Sequence, residues 1–429
     1  MGRHFCCLCR MTFLPKLVLA LLAAALSLSL SAAQTPTKAA KKSRPKPAPA
    51  PVAAAPAKTS QEGAAEASLI AIYRLIGQGN TLGALRQAEQ LVKAYPGFAL
   101  AQLVYGDLLT ARTRPIKAFG DVSPEQLKAG DTTLSELKNE SLLRLKALRE
   151  RPPAGSVPAE FLQLSQRNKH AIAIDASRAR LYLFENRASG MVLVGDYYIS
   201  VGKLGIEKKV EGDQRTPLGV YFITSQLDPK NLKDFYGAGA LPINYPNVLD
   251  LKRGKTGGGI WLHGTPPGQF ARAPLASDGC VVLANPDFIH LIRTVEIRST
   301  PVLISNQLKW VAPPSLRPRS LEFTKHLNAW LQAKSSGNMT QLSAFYAPDF
   351  NNSGKTLTEW LPTLKREVAA TQGLTLQIKD LSLLHWTDAN ETMVVTFGEV
   401  ATGRRSGLTK RQYWSRQGQQ WKIFYEGVV

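Results

Sequence analysis

Beyond residue 9 this 429-residue chain carries a single cysteine, Cys280; the other three, Cys6, Cys7 and Cys9, crowd the N-terminus. A lone thiol cannot close an internal disulfide, so Cys280 is either an inert core side chain or a chemically useful one. Acids are also scarce. Against 53 lysines and arginines stand 32 aspartates and glutamates, a formal charge of +21. Neither an arginine-rich helix nor a run of basic residues interleaved with aromatics accompanies that charge, and nucleic acid is therefore excluded as the expected partner. The apolar run LVLALLAAALSLSL, residues 17–30, falls short of the roughly 20 residues that a membrane helix needs.

That run has a different reading. Arg3, Arg10 and Lys16 precede it and Ser31, Ala32 and Ala33 follow it, the order of an export signal cut after Ala33. The three N-terminal cysteines lie before the run, which argues against lipid attachment, and contact with a membrane is expected only through an uncleaved signal. Residues 34–62 form a Pro/Ala/Lys-rich linker, in which 34–60 hold six basic residues and no acid. Such a composition cannot bury a core and reads as an extended spacer.

Three patterns follow. Residues 63–150 repeat apolar positions at three and four, broken at GQGN and YPGF, as in a tetratricopeptide-like helical hairpin. From Lys169 the period changes to two, and HAIAID, RLYLFE, GVYFIT, GIWLHG and CVVLA describe a mainly-β domain over 169–310. Residues 320–429 open with helices and end in strands, an α+β order in which helices cover one curved sheet.

Within the β domain, Cys280 sits on a Gly-flanked turn 17 positions after His263. Cysteine attacks as thiolate and needs a base beside it; imidazole can both take and return the proton. Strands ending at His263 and starting at Cys280 would bring the two together if paired. Gly279, lacking a Cβ, would let the turn expose the sulfur and aim N–H groups at an oxyanion. Chemistry alone leaves Cys-His catalysis and a buried bystander pair both open.

The runs GIWLHGT and SDGCVVLANPD, with RTPLGVYFI at 215–223 and INYPN at 243–247 upstream, resemble the L,D-transpeptidase (YkuD) catalytic domain. The C-terminal succession of helices and strands resembles NTF2-like cone domains. The chain is thus expected to be multidomain: helical segment, mainly-β YkuD domain, NTF2-like cone. The resemblance implies Cys280 as nucleophile, His263 as base, the Gly264 carbonyl as acceptor of the second ring nitrogen, and the N–H groups of Gly279 and Cys280 as oxyanion donors. Ser277, Asp278, Thr216, Tyr245 and Asn247 are expected at the substrate. No metal or organic cofactor is implied, and His170, His290, His326 and His385 lack ligand-like spacing.

Two positions depart from the family: Asp278 stands where His or Arg is common, and Val282 where many members have Arg. Both remove positive charge near the sulfur; Asp278 could instead be an Asx-type turn residue. The implied activity is that of a periplasmic enzyme of a Gram-negative bacterium. Cys280 would attack the stem-peptide amide after the L-centre of meso-diaminopimelate, expel D-alanine and form a thioester. A second diaminopimelate, a lipoprotein lysine or water would resolve it. The reading outside catalysis is an envelope scaffold that holds peptidoglycan.

Overall fold

Helix formation starts at Ala64, one residue into the part of the chain, 63–429, that the computed structural model describes. The export signal expected over 1–33 and the linker over 34–62 lie outside the described residues. Helices Ala64–Gly77, Thr81–Ala94 and Ala99–Thr110 pack in succession. They end at the breaks expected from the sequence: Asn80 caps the second helix by accepting from the Gly83 amide, and that helix stops at Tyr95-Pro96. Leu69, Ile72, Ala84, Ala88, Leu91, Ala101 and Val104 form the buried seam, where the alanines allow close approach. A fourth helix, Pro124–Arg149, kinks at Gly130.

Its Arg144 docks the helical region onto the β domain. Arg144 pairs with Glu66 and with Glu140 (2.7 Å); Arg180 of the β domain reaches the same Glu66 (2.9 Å) and Asp196 (2.6 Å). The Arg144 guanidinium lies 3.8 Å from the Tyr198 ring centre. These charges are buried but mutually satisfied, the condition under which buried ions are tolerated.

The mainly-β expectation for the middle of the chain holds. A nine-stranded sheet runs in the order Gly219–Phe222, Pro301–Ser305, His170–Asp175, Arg180–Arg187, Gly190–Gly202, Val281–Leu283, Trp261–His263, Ala240–Pro242, with Leu275–Ser277 also pairing Gly190–Gly202. Strand HAIAID shows why its alternation is apolar on both sides: Ile172 and Ile174 face the domain's own core, whereas Ala171 and Ala173 belong to a core shared with the C-terminal domain.

That C-terminal domain has the expected α+β order. Helices Arg317–Ser335, Met339–Ser343 and Leu357–Ala370 precede strands Leu376–Thr387, Glu391–Ala401, Leu408–Gln417 and Gln420–Val428. The long helix buries Phe323, Leu327, Trp330 and Ala333, spaced by three and four. A fifth strand, Phe161–Gln163, comes from before the β domain and pairs antiparallel with Leu376–Thr387. A network occupies the interior: Lys334 pairs with Glu367 (2.7 Å) and Glu399 (2.8 Å), and Lys410 with Glu367 (2.5 Å) and Glu426 (2.9 Å). The outer face packs on the β domain, where Val220, Phe222 and Leu249 join Trp386, Tyr413 and Phe424 and the Arg411 guanidinium stacks 3.4 Å from the Phe222 ring centre.

Candidate active site

His263 ends the strand Trp261–His263, and Cys280 immediately precedes the strand Val281–Leu283. These strands are parallel neighbours, with Val282 opposite His263 and Val281 opposite Leu262. Val282 is itself buried between His263 and Ser200 of the flanking strand, so its apolar side chain suits a sheet-core position.

His263 is fully buried. Its Nδ1 lies 2.7 Å from the Gly264 carbonyl oxygen; a carbonyl can only accept, so Nδ1 carries the proton and Nε2 keeps its lone pair. Nε2 is buried with no hydrogen-bond partner. Tyr236 and Phe235 stack around the ring at centroid distances of 5.1 and 5.9 Å, and Tyr236 also packs on Trp261 at 4.8 Å. Burial among these rings pushes the imidazole down to about 4, with Arg272 adding to the fall and the Gly264 bond opposing it.

The Cys280 thiol is partly exposed and lies 3.5 Å from the Gly259 carbonyl oxygen. Its dense surroundings push it up to about 11; the Trp261 backbone amide and Arg272 oppose that rise, whereas Asp278 adds to it. Thiol and imidazole therefore both rest neutral.

The turn that carries Cys280 is held from below. Gly279 adopts φ +122°, and a Cβ there would fall 2.7 Å from the Arg215 carbonyl oxygen, so only glycine fits. Thr216, fully buried, donates to the Gly279 carbonyl and accepts from the Gly202 amide, both at 2.9 Å. Ser277 donates to the Cys280 carbonyl (2.6 Å) and accepts from the Gly279 amide (3.1 Å). The Gly279 N–H, expected at an oxyanion, is thus engaged inside the turn. Thr216 and Ser277, expected at the substrate, position the turn instead.

Tyr245 and Asn247 are likewise buried with their polar groups committed. The Tyr245 hydroxyl donates to the Thr256 carbonyl (3.1 Å). Asn247 caps the short helix Val248–Lys252 by accepting from the Leu249 and Asp250 amides, and its Nδ2 donates to the Val220 carbonyl. Asp278 does reach the rim. Its carboxylate is exposed and takes Lys203 Nζ (3.0 Å) and Gln214 Nε2 (3.1 Å), side chains from other segments rather than the local amides of an Asx turn.

Several residues of the site escaped the sequence reading. Asn285 Oδ1 accepts from the Ala238 and Thr265 amides and its Nδ2 donates to the Thr265 carbonyl (2.9, 3.1 and 2.8 Å), tying the Tyr236 segment to the residues after His263. Its only signal was a polar residue opening a helix behind the nucleophile strand. Arg272 comes from the loop between His263 and Cys280, and Tyr236 from a one-turn segment; neither stands in a pattern that marks it.

Comparison with known proteins agrees with this geometry. Residues 169–304 match the profile of the YkuD L,D-transpeptidase catalytic domain, and residues 322–427 that of the Cds6 C-terminal NTF2-like domain. No curated protein matches the chain. Among solved structures, Bd1075 of Bdellovibrio bacteriovorus is 24% identical, with a TM-score of 0.54 over 64% of this chain and 98% of that one. The helical cell shape determining protein Pgp2 of Campylobacter jejuni is 19% identical, with a TM-score of 0.50 over 67% and 99%. At these identities the likeness is one of fold.

Proposed function

We propose, from the premise that residues 169–304 belong to the YkuD family of L,D-transpeptidase catalytic domains and residues 322–427 to the Cds6 C-terminal NTF2-like family, that this chain is an exported L,D-transpeptidase acting on peptidoglycan through Cys280. The observation that carries the reading is the His263 ring. Its Nδ1–H is fixed on Gly264 and its Nε2 lone pair is left unpaired beside the nucleophile strand, the tautomer that a general base requires.

In this mechanism Nε2 takes the thiol proton as the sulfur attacks the stem-peptide carbonyl at the L-centre of meso-diaminopimelate. The Cys280 N–H faces the developing oxyanion, since the Gly279 N–H already serves Ser277. His263 then returns the proton to the leaving amine, D-alanine departs, and a thioester remains. An acceptor amine, deprotonated by the same nitrogen, takes the acyl group. A second diaminopimelate gives a crosslink and a lipoprotein lysine gives an anchor.

A peptidoglycan substrate calls for a periplasmic enzyme of a Gram-negative cell, in keeping with the export signal read over residues 1–33. The likeness of fold to a helical cell shape determining protein, over 67% of this chain, is in keeping with a part in wall architecture. The tetratricopeptide-like hairpin serves as a collar packed on the catalytic domain.

Incubating the mature protein with purified sacculi and analysing muropeptides by mass spectrometry tests the proposal. Crosslinked dimers that have lost D-alanine are expected with wild type and none with Cys280→Ser. Uncrosslinked tripeptides alone would make the enzyme a hydrolase that uses water as acceptor. Unchanged muropeptides would leave a peptidoglycan-binding scaffold.

A further inference from the structure

Two cations act on the Cys280 thiol, Arg272 and Lys208. Lys208 is neutralised, with Nζ 2.8 Å from Asp213. Arg272 is not. Although the residue is only 7% exposed, its guanidinium takes no carboxylate partner among the described residues; it lies over Phe235, 4.2 Å from the ring centre. Phe235 in turn stacks on His263. The acidic groups near enough to act on Arg272 are Asp278 and, once ionised, Cys280, both of the site itself. A nearly buried cation with no anion of its own is costly, and this one stands a single ring away from the catalytic imidazole.

The backbone around it is anchored on three sides. The Phe270 ring inserts between Tyr95 and Phe98 of the helical region, at centroid distances of 5.1 and 4.4 Å, and its amide donates to the Gly97 carbonyl (3.0 Å). The Arg272 carbonyl accepts from the Tyr198 hydroxyl (2.9 Å), and the Pro274 carbonyl accepts from the Val201 amide (2.9 Å). The guanidinium is therefore presented by a fixed loop, as a recognition element must be.

We propose that Arg272 recognises the terminal carboxylate of the leaving D-alanine, and so confers preference for stem peptides that end in a free acid. This rests on the acyl-transfer reading of Cys280. If Nε2 of His263 hands its proton to the leaving nitrogen, that nitrogen lies against the imidazole, and in D-alanine the carboxylate is two bonds further on. It must then come to rest beside the rings that flank His263, where Arg272 stacks. A planar guanidinium meets a carboxylate with two parallel N–H donors, a match that a lysine point charge cannot reproduce. The loop thereby brings a positive charge to the neighbourhood of the sulfur, where Asp278 and Val282 bring none.

The test uses the full mature chain and two substrates, a disaccharide tetrapeptide ending in D-alanine and the same molecule ending in D-alaninamide. Release of D-alanine or its amide gives kcat and KM for each. Wild type is expected to favour the acid in kcat/KM by about 10- to 100-fold, the range of a charge-assisted hydrogen-bond pair. In Arg272→Ala that preference collapses to within about threefold, and Arg272→Lys retains only part of it. Arg272→Gln serves if the alanine variant fails to fold, and is expected to lose the preference as well. A preference that survives Arg272→Ala or Arg272→Gln overturns the proposal while leaving the acyl-transfer reading intact. Failure of wild type to release either product would remove that reading and the proposal with it.

Discussion

Cys280 and His263 both rest uncharged, the thiol because burial pushes it up to about 11 and the imidazole because burial pushes it down to about 4. The sulfur is therefore not a standing thiolate; it becomes one only as its proton leaves. Alkylation of Cys280 by iodoacetamide should accordingly accelerate about tenfold per pH unit from pH 6 to 10. A plateau across that range would reveal a preformed thiolate-imidazolium pair and refute the neutral resting state. The charge of Asp278 raises the thiol further, as its sequence position implies, but Lys203, 75 residues earlier in the chain, pairs with that exposed carboxylate and blunts its effect. The neighbouring placement of Cys280 and His263 was legible because the two lie at the ends of short β-rich runs that pair as parallel neighbours. Arg272 was not, since one arginine in a loop has no periodicity or spacing to distinguish it from the other basic residues of a basic protein.

The loop joining the His263 and Cys280 strands is an element with its own support. Gly97 approaches it so closely that a Cβ there would fall 2.3 Å from the Gly268 carbonyl oxygen, so Gly97→Ala should prise the loop from the helical region while removing no side chain. Phe270→Ala should do the same by withdrawing the ring from between Tyr95 and Phe98, at a cost of about 2 kcal/mol. Both variants are expected to show faster amide hydrogen exchange over residues 266–272 with unchanged exchange in strand Arg180–Arg187. Exchange as slow as in wild type would mean that the helices do not brace the loop. The sequence shows this element only as a Pro- and Gly-containing stretch of suitable length, because what holds it lies about 170 residues away. A related limit explains Tyr245 and Asn247: INYPN resembles a substrate motif, yet its second asparagine, Asn247, is a helix cap whose side chain serves the Leu249 and Asp250 amides.

On the scale of the whole molecule, the β and C-terminal domains share one hydrophobic core rather than meeting across a wet seam. Phe222 and Leu249 pack with Tyr413 and Trp386, and Arg253 pairs with Asp388 at the margin. Burial on that scale couples the two units energetically, so calorimetry of the mature protein should give one cooperative transition for residues 157–429. A chain ending at residue 311 should precipitate or melt far below wild type. Two well-separated transitions, or a truncated chain as stable as the whole, would sink this view. The domain order was plain from the change of period along the chain, but the fusion was not, since an apolar residue in a strand does not say which of two cores receives it. One strand carries a further consequence. Phe161–Gln163 is made before the β domain and yet finds its sheet only in Leu376–Thr387, with the Ser165 amide bonded to Ser382 across 217 positions. A chain growing from its N-terminus therefore completes the domain of Cys280 while that strand still waits, and the bracket shuts only when the final 50 or so residues arrive. The molecule thus has a built-in completion check: a product cut short carries Cys280, His263 and every residue around them, but in a domain with one flank bare.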